Sequence, residues 1–137
     1  MIVFDSYAWI EYFLGSTSGR VANGYLEGDE VLTPSIVLAE VSRKYLREGM
    51  ADSEITKRLN FMTTRSTVVE LDADLSLMAA KAYMELCERA KPAGRTGGTG
   101  APSLTDGIVL ATGRASNAKI LSGDLHFKGL PEVVYMD

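Results

Sequence analysis

The chain alternates short apolar runs with longer stretches in which apolar residues recur at helical spacing. This pattern predicts strands at "MIVFD", "VLTP", "STVVEL" and "AKILSG", with a last strand near "EVVYMD". It predicts helices at "SYAWIEYFLG", "SGRVANGYLEGDE", "PSIVLAEVSRKYLREG", "ADSEITKRLNFMTTR", "DADLSLMAAKAYMELCERAK" and "SLTDGIVLATGRAS". Strands that alternate with helices predict an α/β domain with a mainly parallel central sheet flanked by helices.

Glycine and proline residues mark several of the predicted boundaries. Gly28 closes the second helix, Pro34 lies in the first turn of the third helix, and Gly49 follows its end. The long helix over residues 72–91 is predicted to turn one set of small and apolar side chains inward: Leu75, Met78, Ala82, Leu86 and Cys87.

The stretch "KPAGRTGGTGAP", residues 91–102, breaks all periodicity and predicts a loop. Two interpretations of this loop stay open: a flexible connector, or a segment whose Arg95 grips the substrate. No Gly-Lys-Ser or Gly-Lys-Thr follows its glycines, so a nucleotide-binding P-loop is excluded.

Composition indicates one globular domain over residues 1–137, with 46% hydrophobic and 23% charged residues. No apolar run approaches the ~18 residues of a membrane span, and no basic residues precede an N-terminal apolar core, so we expect a cytoplasmic protein without a membrane partner. The net charge of −4 argues against non-specific coating of nucleic acid. An acidic pocket that holds a divalent metal can nevertheless accept a phosphodiester.

Four acidic residues are predicted to meet at one edge of the sheet. Asp5 ends the first strand, and Asp124 follows the strand "KILSG". Glu40 lies about two turns into the helix after "VLTP", and Asp106 lies in the first turn of its helix. Because ligands bind at the carboxyl ends of strands in open parallel sheets, this edge is the predicted site.

Each acid also has a purely structural explanation. Asp5 is a suitable N-cap, and Ser103 with Asp106 matches the S-x-x-D capping pattern. Glu40 precedes Lys44 by four residues, as in a surface ion pair, and Asp124 is an ordinary turn residue. These separate explanations do not predict a shared edge. Carboxylates in apolar surroundings need a cation, and oxygen ligands favour Mg²⁺ or Mn²⁺.

The order and spacing of these motifs resemble the PIN-domain ribonucleases, in particular the VapC-type toxins of toxin–antitoxin pairs. The resemblance rests on "IVFDSYAWIEYF", "LTPSIVLAEVSRK" and "SLTDGIVLATGRASNAKILSGDLHF", and it runs along the whole chain. It implies a three-layer PIN-like fold and places the family's acids at Asp5, Glu40, Asp106 and Asp124. Ser122 stands where the family usually has Thr or Ser.

The resemblance implies a metal-dependent endoribonuclease in which these four acids hold one or two Mg²⁺ or Mn²⁺ ions and Ser122 supports them. For toxin members it also implies a homodimer and a small antitoxin that inserts a basic residue into the acidic groove. Two alternatives stay open: a housekeeping RNA-processing nuclease, and a non-catalytic PIN-like module that binds RNA or protein.

Other residues carry competing interpretations. His126, without a partner carboxylate or serine in the sequence pattern, is predicted to be structural. The helical spacing of Tyr7, Trp9 and Phe13 favours core or partner contacts over a base-stacking platform. A basic stretch follows Glu40 and is either a solvated helix end or an RNA backbone contact. It consists of Arg43, Lys44 and Arg47.

Overall fold

The structure is a computed structural model that describes residues 1–94 and 100–137. It contains a five-stranded parallel sheet. The strands are β1 (Ile2–Phe4), β2 (Val31–Pro34), β3 (Thr67–Val69), β4 (Lys119–Ser122) and β5 (Val133–Tyr135). Their order across the sheet is β3-β2-β1-β4-β5, and all four neighbouring pairs are parallel. The predicted α/β class with a mainly parallel sheet is confirmed.

Six α-helices connect the strands in the described part of the chain. They are α1 (Ser6–Leu14), α2 (Thr17–Gly28), α3 (Ser35–Arg47), α4 (Asp52–Arg65), α5 (Ala73–Ala90) and α6 (Leu104–Ala115). Short 3₁₀ turns follow α5 at Lys91–Ala93 and β4 at Leu125–Phe127. None of the helices in the described ranges is long and apolar enough to span a membrane.

The chain reverses its direction across the sheet between β1 and β4. From β1 it moves through α1 and α2 to β2, and through α3 and α4 to β3; α5 and α6 then return it to β4 on the other side of β1. Right-handed crossovers place the first four helices on one face and the last two on the opposite face. Helix contacts agree with this grouping, because α1 packs on α2 and α3, and α5 packs on α6.

The central strands are buried on both faces, as expected for a parallel sheet covered by two helical layers. All three residues of β1 are buried, and so are all four of β2. Trp9, fully buried in α1, donates its indole Nε1–H to Thr33 Oγ1 of β2 at 3.1 Å. The Trp9 ring also packs against Tyr12, Phe13 and Phe61. Of the two roles predicted for Trp9, core or partner contact, its burial supports the core.

Two predicted details of the helices are wrong. Pro34 is the last residue of β2 and precedes α3, so it does not lie in the helix's first turn. Met78 is 39% exposed, because the buried stripe of α5 continues from Leu75 to Ala79 at a spacing of four. Gly49 does follow the end of α3 and adopts a left-handed φ of 81°. Arg95 lies outside the described residues.

Helix α6 approaches α5 closely because Gly107 has no side chain. A Cβ at Gly107 would lie 2.6 Å from the Ala79 carbonyl oxygen and 2.7 Å from Tyr83 Cβ, both on α5. At the other end of α6, Arg114 contacts Glu85 of α5 and Glu132 before β5, each at 2.6 Å. This packing sets the position of the residue that precedes Gly107, which is Asp106.

The variant Gly107→Ala is expected to destabilise the fold even though alanine is the better helix former. Forcing a methyl group against backbone atoms of α5 is expected to cost about 1–3 kcal/mol, which urea unfolding measures. Gly24→Ala in α2 is the matched control, because a Cβ there meets nothing within 4 Å and is expected to stabilise by about 0.5–1 kcal/mol. Equal effects of the two substitutions would contradict this account of helix packing.

Candidate active site

The reversal between β1 and β4 brings two acid-bearing loops together at the carboxyl edge of the sheet. Asp5 directly follows β1 and Asp124 lies two residues after β4. Such a switch point leaves a crevice between diverging connections, which is where open α/β sheets bind ligands. The predicted edge is therefore the one at which these two acids lie.

Ser122 connects Asp5 to Asp124. Asp5 Oδ1 caps α1 by accepting the backbone N–H of Ala8 at 2.9 Å, and its Oδ2 accepts the Ser122 hydroxyl. The same Ser122 Oγ accepts the backbone N–H of Asp124 at 3.0 Å. Ser122 is fully buried and Asp5 is 4% exposed, so this arrangement fixes the orientation of the Asp5 carboxyl group.

Asp106 forms the predicted cap and also reaches the site. Its Oδ2 accepts the Ser103 backbone N–H at 2.9 Å, and Ser103 Oγ accepts the Asp106 backbone N–H at 3.2 Å. This capping box holds the first turn of α6, and the same Oδ2 lies 3.1 Å from His126 Nδ1. The capping explanation of Asp106 is therefore confirmed, and the same carboxyl group also lies beside His126 at the sheet edge.

His126 lies between two of the acids. Its Nδ1 is 3.1 Å from Asp106 Oδ2 and 3.0 Å from Asp124 Oδ1, and its Nε2 is 3.1 Å from the Gly100 carbonyl oxygen. The expectation that His126 lacks a partner carboxylate is wrong. Asp124 lies only two residues before His126, and its Oδ1 also accepts the backbone N–H of His126 at 2.9 Å. This short spacing was the signal in the sequence from which the contact could have been predicted.

Glu40 lies on the α3 side of the crevice and is half-buried. Burial raises the pKa of its carboxyl group, as does the charge of Asp106; Ser6 and Arg43 partly offset this. Among the described residues, the group of ligand atoms within 4.8 Å of one another comprises Asp106, Asp124 and His126. Glu40 and Asp5 flank this group without joining it.

Comparison with known proteins assigns the family. The model of the PIN domain matches residues 2–133. The chain belongs to the PIN-domain family. A search of curated proteins finds no match.

Solved structures resemble this PIN domain along almost its full length. A chain of a toxin–antitoxin complex from Klebsiella pneumoniae is 20% identical, with a TM-score of 0.66, and the match covers 98% of this chain and 96% of that one. VapC20 of Mycobacterium tuberculosis, described as a sarcin-ricin loop cleaving toxin, is 17% identical, with a TM-score of 0.65 and coverage of 100% and 90%. VapBC-1 from nontypeable Haemophilus influenzae is 17% identical, with a TM-score of 0.64 and coverage of 100% and 98%. The predicted PIN-like fold is confirmed.

Burial raises the pKa of two acids of this PIN domain, Asp5 and Asp106, and so disfavours their charged forms. Burial raises the pKa of Asp5 to about 7. The hydrogen bond from Ser122 lowers this pKa in part, whereas the negative charge of Asp124 raises it further. Burial likewise raises the pKa of Asp106, and the negative charge of Asp124 adds to it. A bound cation would reverse both effects, because it favours the charged form of each carboxyl group.

The donor set fits a divalent metal ion. Within the described ranges, His126 Nδ1 is buried and makes no well-aligned hydrogen bond, although two carboxylate oxygens lie near it. If Nε2 donates its proton to the Gly100 carbonyl, the Nδ1 lone pair faces those oxygens, and a cation between the three atoms removes their repulsion. Metal-binding histidines commonly donate their other N–H to a backbone carbonyl in this way.

The pKa of Asp5 predicts how the stability of the metal-free protein depends on pH. A carboxyl group whose pKa rises from 3.8 to about 7 on folding contributes stability that is complete below pH 3.8 and is lost as the pH rises through about 7. In chelator, stability should therefore fall between pH 5 and 7, by at most about 1.4 kcal/mol per pH unit for this one proton.

Asp5→Asn removes that titration, so its unfolding free energy should decline less than that of the wild type over the same interval. Urea unfolding at a series of pH values measures the difference. Asp52→Asn, a change at an exposed acid that begins α4, should keep the wild-type slope. A wild-type slope in Asp5→Asn would contradict the assignment.

Proposed function

We propose that the protein is a metal-dependent endoribonuclease that hydrolyses RNA phosphodiester bonds with Mg²⁺ or Mn²⁺. The observation that carries the proposal is the convergence of Asp106, Asp124 and His126 within 4.8 Å at the sheet edge, with Asp5 tied to Asp124 through Ser122. Membership of the PIN-domain family supports the same reaction class.

The proposed site residues have different roles, which follow from their positions relative to the metal ion. Asp106, Asp124 and His126 would hold one metal ion directly, and Asp5 and Glu40 would contribute charge and ligand oxygens from the flanks. Ser122 orients Asp5 by its hydrogen bond and has no contact with the reacting phosphate in this proposal. The bound metal would supply an activated water and would offset negative charge on the phosphate and leaving oxygen.

The crevice also suits a reaction that needs partial exclusion of water. Asp5 and Ser122 form its buried floor, whereas the Asp124 side chain is 36% exposed and accessible to a substrate. Charges interact more strongly at a partly desolvated site, so a metal ion bound here would polarise a phosphate more than it would in bulk water.

Asp106→Asn is expected to abolish metal-dependent cleavage of a pool of labelled RNAs while the protein stays folded. The asparagine oxygen can still accept the Ser103 N–H, so the helix loses a charge–dipole interaction of about 0.3–1 kcal/mol, whereas the metal site loses a charged ligand. Product formation with Mg²⁺, with Mn²⁺ and with chelator is the measurement.

The matched control is Asp72→Asn, because Asp72 caps α5 by accepting the Leu75 N–H at 2.8 Å and lies outside the crevice. This control should cleave like the wild type. Cleavage that persists in chelator, or that survives Asp106→Asn, would contradict the proposed mechanism. RNA binding without cleavage in any metal would favour a non-catalytic module.

We further propose that the nuclease is a cytoplasmic homodimeric toxin with a small antitoxin partner. The likeness to toxin chains of toxin–antitoxin complexes supports this proposal. A basic side chain of the partner placed among Asp5, Asp106 and Asp124 would compete with the metal for the same negative charge.

Co-expression with the proposed small antitoxin is expected to give a complex whose RNA cleavage is inhibited. Size-exclusion chromatography with mass measurement reports the dimer and the complex, and the RNA cleavage assay reports inhibition. Free, uninhibited nuclease in the presence of that protein would favour a housekeeping RNA-processing enzyme.

A further inference from the structure

A row of basic side chains on α3 shares a cavity with the acidic residue Glu40. The cavity has a volume of about 300 Å³, and its polar lining consists of Ser6, Glu40, Arg43, Lys44, Arg47 and Glu48. Because the protein carries a net charge of −4, three cations around one cavity are a local reversal of its charge.

Helical geometry explains why these side chains lie together. Glu40, Arg43, Lys44 and Arg47 occupy positions i, i+3, i+4 and i+7 of α3, which lie on one face of a helix. At 1.5 Å per residue, Arg47 lies about 10 Å along the axis from Glu40. The row therefore leads directly away from the candidate active site.

A second cavity adjoins the first one and extends to Asp124 of the candidate active site. It has a volume of about 370 Å³ and shares Ser6, Ile10 and Lys44 with the first cavity. Its remaining lining is Tyr7, Glu11, Leu14 and Asp124. The two cavities thus form one groove along α1 and α3, with carboxylates of the candidate site in its walls and Arg47 at the basic end.

Ion pairs among the described residues do not account for the two arginines of the row, although the Arg43 charge lowers the pKa of nearby Glu40. Lys44 pairs with Glu48 at 3.2 Å, but across residues 1–94 and 100–137 neither Arg43 nor Arg47 is found in an ion pair. Both are exposed. The helix dipole favours Lys44 and Arg47 in the last turn of α3. It does not explain Arg43, which precedes that turn, or the convergence of all three with Glu40.

We propose that Arg43 and Arg47 bind a backbone phosphate of the RNA strand beside the phosphodiester that is cleaved. This inference rests on the proposed nuclease function and names where its substrate is held. Guanidinium groups bind phosphate oxygens through paired hydrogen bonds, and phosphate contacts position a strand without reading its sequence. The acidic end of the groove needs a metal to accept a phosphate, whereas the basic end attracts one directly.

RNA fits the groove better than an acidic protein segment does. A polyanion whose charges repeat along the strand can place one phosphate at the metal site and the next at the arginines. An acidic peptide would instead place its carboxylates beside Glu40 and Asp124 at the same groove, without a metal-binding reason to approach them.

The test uses Arg43→Gln, Arg47→Gln and the double variant, with Arg20→Gln as the control. Arg20 is an exposed arginine of α2 that lines a different cavity. Steady-state kinetics are measured on a labelled RNA that the wild type cleaves, at several salt concentrations. We expect KM to rise by about two- to fivefold per arginine with kcat nearly unchanged, as for loss of exposed ion pairs.

The salt dependence gives a second, independent readout. Replacing each arginine that neutralises a phosphate by glutamine should make the plot of log kcat/KM against log salt concentration shallower by about 0.7. Arg20→Gln should change neither KM nor the slope. Unchanged KM and slope in the double variant would overturn the proposal, as would a fall in kcat at constant KM, which would assign the arginines to the chemistry at Glu40.

Binding separates this proposal from the nuclease function itself. Anisotropy of a short fluorescein-labelled single-stranded RNA in chelator measures affinity without cleavage. If the wild type cleaves nothing but binds this RNA, and the double variant binds it more weakly, the nuclease function fails and the phosphate contact stands. The double variant could instead bind and cleave RNA as the wild type does and no longer be inhibited by the co-expressed partner. That result would show that the basic side chains bind the partner, and it would overturn the proposal.

Discussion

The pairing of β1 with β4 is the constraint on which the site depends. The two strands are adjacent only because the chain reverses its direction across the sheet, and their ends carry Asp5 on one side and Ser122 and Asp124 on the other. Burial of β1 on both faces fixes the register of this pair, since a slip of one residue would exchange the faces on which its apolar side chains pack and disrupt the packing of both helical layers. The hydrogen bonds of Ser122 then hold the Asp5 carboxyl group in a fixed position relative to the backbone of Asp124.

The helical layer formed by α5 and α6 contributes Asp106 to the site. Gly107 lets α6 lie close to α5, and the capping box of Ser103 and Asp106 sets the first turn of α6 at the sheet edge. His126 reaches the same point from the turn after β4, and its Nε2 lies at hydrogen-bond distance from the Gly100 carbonyl. Asp5 and Asp106 therefore stabilise helix starts and also lie at the proposed metal site, which explains why capping alone could account for these two acids.

Much of the fold could be predicted from the sequence because its signals are local. Buried strands appear as apolar runs and helices as periodic segments, so the alternation identified the parallel sheet and placed Asp5 and Asp124 at one edge. The errors arose where packing between elements decides. Met78 is exposed because the small residues of α5, such as Ala79, face α6. The contact of His126 with Asp106 was missed because the two residues lie 20 positions apart in the chain.

Binding of a divalent metal ion by Asp106, Asp124 and His126 is the property on which the proposed reaction depends. Its most direct test is anomalous diffraction from crystals of the wild-type protein soaked in Mn²⁺. We expect an anomalous peak between the three side chains, at about 2.0–2.3 Å from a carboxylate oxygen of each acid and from His126 Nδ1. Well-diffracting soaked crystals with no peak at this position, or with Mn²⁺ bound only elsewhere, would contradict it.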